Sequence, residues 1–136
     1  MRRPHLAGAL VLAVLGSALW AARGQSQRPN QVGDFMQAKL VHAQRVLEGL
    51  ALEDYTMLAK HSQELSLLSQ AANWQVLQTD EYLRQSDEFR RTADALTAAA
   101  REKNLDGAAL RYVDMTLKCV ECHKYVRGAR LAQVDP

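Results

Sequence analysis

The chain has 136 residues, 48% apolar and 24% charged, with only 7 Gly and 3 Pro; this balance suits one globular domain and excludes disordered, collagen-like and multidomain chains. Aromatic residues make up just 6% while Ala, Leu and Gln abound, which favours packed helices over β-sandwiches. The net charge of +2 conceals a split: residues 1–24 hold Arg2, Arg3 and Arg23 and no acid, so 14 of the 17 basic residues remain to face all 15 acidic ones. No basic run interleaved with aromatics suggests a nucleic-acid groove.

Arg2-Arg3, the apolar stretch Leu6 to Ala22 and the polar run from Arg23 to Asn30 have the layout of an export signal. Small residues Ala22 and Gly24 suit cleavage before Gln25, which would leave 112 of the 136 residues. The stretch of 17 residues sits at the short limit for crossing a bilayer, so an uncleaved membrane anchor is the alternative. The chain divides into an export signal (1–24), a flexible segment (25–31), a helical domain (32–130) and a tail (131–136).

Four stripes at helical spacing follow. The first, Val32, Met36, Leu40, Ala43, Leu47 and Leu50, predicts a helix opened by Asp34 and closed near Gly49, with Lys39 mostly on the polar side. The second, Leu58, His61, Leu65, Leu68 and Ala72, starts after Glu53-Asp54 and stops within residues 73–79. Trp74 in that link is expected to bury beneath it.

Tyr82, Ser86, Phe89, Ala93, Leu96 and Ala100 form the third stripe, with Thr79 as N-cap, Asp80 and Glu81 in the first turn and an end near Lys103-Asn104. The run from Asp87 to Arg91 reads as a solvated charged face. The fourth, Leu105, Ala109, Tyr112, Thr116, Cys119, His123 and Val126, begins at an Asp106 N-cap and ends near Gly128. Short connections predict an all-α, antiparallel, up-down-up-down four-helix bundle.

Cys119-Val120-Glu121-Cys122-His123 is CxxCH, the attachment sequence of a c-type haem. On a helix, positions i, i+3 and i+4 share a face, so Cys119 and Cys122 can each add to a vinyl group while His123 turns toward iron. One covalent haem c near the carboxyl end of the fourth helix is therefore expected. A thioredoxin-like pair lacks a βαβ setting, structural zinc lacks four ligands, and a disulfide across three helical residues would be strained. Only 13 residues follow His123, so the opposite haem face is expected to be covered from upstream.

This pattern resembles the cytochrome c-prime family, exported four-helix bundles with CxxCH on the last helix. The resemblance implies that Arg127, four residues beyond His123, lies beside the proximal pocket. It implies too that Gln37 and Leu40 occupy the distal side, with Leu40 over the iron; Met36 stands where the family has a basic residue, which leaves Lys39 as the cation for a propionate. Leu40 offers no lone pair, giving an open five-coordinate iron suited to electron transfer or to NO or CO binding, whereas Met36 as a ligand would give a six-coordinate electron carrier.

Neither role needs a catalytic acid or base. A haem peroxidase would need one over the open face, and His42 is the only candidate near Leu40. The expected partners are redox proteins in the periplasm, with membrane contact only through an uncleaved signal, and the resemblance implies pairing of two bundles through helices one and two. His61 reads as a hydrogen-bonded core or edge residue, His42 as solvated, and Met115 as packing.

Overall fold

The computed structural model describes residues 29–71 and 77–134, with side chains described for 31–71 and 77–130. The expected export signal and Trp74 lie outside these. Four helices carry the described chain, α1 (Pro29–Leu52), α2 (Tyr55–Leu68), α3 (Asp80–Arg101) and α4 (Leu105–Val134), and no strand occurs among the described residues. They form a four-helix bundle in which consecutive helices pack closely, while α1 and α4 meet only sparsely.

The connections α1–α2 and α3–α4 use one device. Glu53 (φ 53°) and Lys103 (φ 56°) take the left-handed conformation, and the amides just beyond them, Asp54 N and Asn104 N, donate to Gly49 O and Ala99 O at 2.9 Å each. These are Schellman closures with a non-glycine residue at the left-handed position. The residue after each then caps the next helix: Asp54 Oδ1 accepts from Met57 N at 2.9 Å and Asn104 Oδ1 from Gly107 N at 2.8 Å. Thr79 caps α3 as expected, accepting from Tyr82 N.

Several boundaries differ from the periodicity reading. α1 opens at Pro29 rather than Asp34, because proline's fixed φ suits a first turn whose amide needs no partner; residues 29–31 of the expected flexible segment are thus helical. It also passes Gly49, which lies against Leu58, and closes at Glu53. α2 stops at Leu68, with Ser69 as its C-cap. Asp106 lies inside α4, whose cap is Asn104, and α4 runs through Gly128 to Val134, since Gly128 has no positive φ to end it.

The core is built from Val46, Leu58, Leu65, Phe89, Ala93, Leu96, Ala108 and Met115. All six residues of the α3 stripe are buried. On α1 the buried line is Lys39, Val46 and Gly49, one residue away from the apolar stripe, and Leu40 and Leu47 of that stripe stay about half exposed. On α4 the buried line is Ala108, Met115 and Cys122, while Thr116 and His123 are exposed.

Glycine at a left-handed C′ position avoids the Cβ clash that other residues bear. Glu53→Gly is therefore expected to raise stability by roughly 1 kcal/mol, measured as a higher urea midpoint at unchanged slope; a lowered midpoint would contradict the closure described.

Candidate functional site

One turn of α4 brings Cys119, Cys122 and His123 to the same cavity. The space, about 150 Å³, is walled by Met36, Lys39, Leu40 and Ala43 of α1, Leu65 of α2, Phe89 of α3, and Met115, Lys118, Cys119, Cys122 and His123 of α4. A smaller space of about 40 Å³ adjoins the same turn and shares Met36, Cys122 and His123, with Val32, Tyr82, Val126 and Arg130. Part of the apolar side of α1 thus turns toward the α4 motif, across the sparsely packed α1–α4 seam.

Lys39 is the polar element of this wall. It is 7% exposed; its Nζ donates to Ser69 Oγ at 2.9 Å and lies 3.7 Å from the centre of the Phe89 ring, a cation–π contact. Burial pulls its ammonium from the ordinary 10.5 down to about 7, opposed by the nearby Cys119 and Cys122 thiols. Burial pushes both thiols up, and Lys39 pulls them back. Lys118 Nζ is held by Glu121 at 3.0 Å and Glu88 at 3.4 Å.

Of the residues singled out in the sequence, Cys119, Cys122, His123, Met36 and Leu40 meet here. Gln37 and Arg127 are exposed and line neither space, because each lies on the outward side of its helix. Lys39 was expected on the polar side of α1, yet its long stem carries the charge inward to Ser69. Met115 is buried packing, 1% exposed, in the wall. His42, expected to be solvated, is half-buried with its Nδ1 2.9 Å from His61 Nδ1. It does not line the cavity, so the structure offers no acid–base group there from that position.

Phe89, Leu65 and Lys118 were missed as wall residues because helical periodicity gives each helix's own face but not which levels of different helices coincide. Comparison of the chain with protein families, curated proteins and solved structures finds no match. Among the described residues, no group of three or more His, Cys, Asp or Glu could hold a metal ion, and no helix is long and apolar enough to cross a membrane.

The unfolded chain keeps the Lys39 proton up to its ordinary 10.5 and the folded chain only to about 7. Between those values the unfolded state binds more protons, so this group makes stability rise with pH; below about 7 its full cost is present. Lys39→Met is accordingly expected to be more stable than the native free-thiol protein at pH 6 by about 1–2 kcal/mol, the gap closing toward pH 10 in urea unfolding. A gap constant with pH would contradict the burial described.

Proposed function

We propose that this chain is an exported, periplasmic monohaem c-type cytochrome of the c-prime kind, an antiparallel up-down-up-down bundle serving electron transfer or the binding of small gases such as NO or CO. The observation that supports this most directly is that both thiols and the imidazole of CxxCH line one mainly apolar cavity. Three facts fit a covalent haem c: a thiol pair and an imidazole on one helical turn, aliphatic and aromatic walls, and an α1–α4 seam with few contacts to break. The present space is below the roughly 300–1,000 Å³ of ligand pockets, so seating the macrocycle would require the sparse α1–α4 seam to open wider.

Bound haem would supply one-electron exchange and a coordination position for a diatomic gas. Cys119 and Cys122 would anchor it through their sulfurs, and His123 would give its imidazole nitrogen to the iron. Leu65, Phe89, Ala43 and Met115, which line the cavity, would keep water from the bound group. Leu40, with no lone pair to offer, would adjoin it without becoming a ligand. Below about pH 7, where Lys39 keeps its proton, its ammonium would raise the positive potential of the wall and so oppose a further positive charge in the cavity, favouring the more reduced state of a redox group there. Outward-facing Val41, Leu47, Leu52 and Leu67 give α1 and α2 aliphatic surface suited to pairing of two copies.

A second reading rests on Met36, which shares both spaces with His123; its thioether as a sixth ligand would make a closed electron carrier. Optical spectra of the chain matured with a haem-attachment system separate these. The proposal predicts a ferrous spectrum that shifts with carbon monoxide and is unchanged by Met36→Leu. A sharp low-spin ferrous band unmoved by the gas until Met36 is replaced would establish the second reading, and a chain without visible absorption would overturn both.

A further inference from the structure

The side of α4 turned away from the bundle is aliphatic. Leu110, Val113, Leu117 and Val120 are 73%, 57%, 54% and 43% exposed, and their spacing of three, four and three residues stacks them into one stripe along the helix. The buried line of the same helix, Ala108, Met115 and Cys122, lies on the opposite side. We infer that this stripe is a self-association face, on which a second copy of the chain lays its own α4 antiparallel about a two-fold axis level with residue 115. The inference does not rest on the haem reading, since no residue of the stripe lines either space beside CxxCH.

Charge at the two ends of the stripe selects the occupant and its direction. Asp106 lies one turn before Leu110 and Lys124 one turn after Val120, both exposed and in line with the stripe, and neither makes an ion pair among the described residues. An antiparallel copy sets each Asp106 opposite the partner's Lys124, giving two equivalent pairs of opposite charge, whereas a parallel copy would set like against like at both ends. The same register brings Leu110 to the partner's Val120 and Val113 to the partner's Leu117, so every aliphatic side chain of the stripe meets another. A slip of one heptad would place Val113 against the partner's Lys124, or Leu117 against the partner's Asp106. The patch is therefore complementary to itself under a two-fold rotation, which is what an isologous contact requires.

The remaining polar groups leave this seam clear. Asp114 and Glu121 flank the stripe, but each is engaged within its own copy: Asp114 Oδ2 accepts from Thr92 Oγ1 of α3 at 3.4 Å, and Glu121 Oε2 from Lys118 Nζ at 3.0 Å. On the other flank Thr116 Oγ1 donates to Tyr112 O at 2.9 Å. One turn beyond Lys124, Arg127 comes level with the partner's Lys103, a like charge that ends the seam there. One helix face offers far fewer residues than the roughly 20–30 a side of a standard interface, so the pair is weak and depends on concentration. Its exposed ion pairs set direction more than strength.

The test is sedimentation velocity of the mature protein over a wide concentration range at low salt, where a reversible monomer–dimer equilibrium is expected. Leu117→Lys should weaken it at least about tenfold. Asp106→Lys and Lys124→Asp should each weaken it, and the double variant, with the charges exchanged, should restore it. Zero-length carbodiimide coupling needs no variant: it should join the Asp106 carboxylate to the Lys124 amine, which stand about 27 Å apart along one helix, so that the bond arises only between copies. Monomers at every concentration, or a double variant no stronger than either single one, would overturn the assignment. So would pairs that survive Leu117→Lys, which another surface such as that of α1 and α2 must join, and binding to phosphatidylcholine vesicles that Leu117→Lys abolishes, which would give the face to a membrane.

Discussion

Helical spacing on α4 is the constraint from which the site follows. Three residues of one turn, two sulfurs and an imidazole, must share a direction because 3.6 residues complete the circle, and the chain supplies a wall opposite them. That wall is the apolar stripe of α1, turned by one residue out of the bundle core. The core takes Val46 and Gly49, whereas Met36, Leu40 and Ala43 meet the motif. A helix that merely packed in a bundle would bury its stripe; α1 holds part of it at a sparsely closed seam.

The interior behind that seam is unusually polar for a helical core. Ser62, Ser66, Ser69, Ser86, Thr92 and Thr97 are all buried. Hydroxyls in helices can donate to the carbonyl four residues back, as Ser69 does to Leu65 O at 2.8 Å and Ser86 to Tyr82 O at 2.8 Å, so their burial leaves few unsatisfied groups. Ser69 then has lone pairs to spare, and one accepts from Lys39. A group that is cationic only below about pH 7 is thereby built into the site's inner wall, where low polarisability lengthens the reach of its field. The surface ion pairs are a separate matter: Arg84 with Glu81 and Glu88, and Arg90 and Arg91 with Asp87, lie at the solvent boundary with side chains exposed or half-exposed and add little.

Local chemistry was legible wherever a residue's role is settled within one turn of its own helix. Thr79 as a cap, the complete α3 stripe, the end of α3 near Lys103 and the grouping of Cys119, Cys122 and His123 all belong to this kind. What escaped depends on other helices. Lys39 looks solvated until α2 and α3 supply a hydroxyl and a ring for its tip, and no periodicity foretells that His42 comes level with His61. Glycine misled as punctuation: Gly49 serves close approach to Leu58, and Gly128 is an ordinary helical residue. In both turns the left-handed position went to a charged side chain instead, which composition-based rules for helix ends do not select.

The covalent clamp on α4 is the central claim, and tandem mass spectrometry of the natively matured chain addresses it without reference to colour or activity. The account predicts that the peptide spanning Cys119 to His123 carries the mass of one porphyrin with its iron, attached through both sulfurs. Recovery of that peptide with two unmodified thiols after maturation in a haem-attaching host would contradict it.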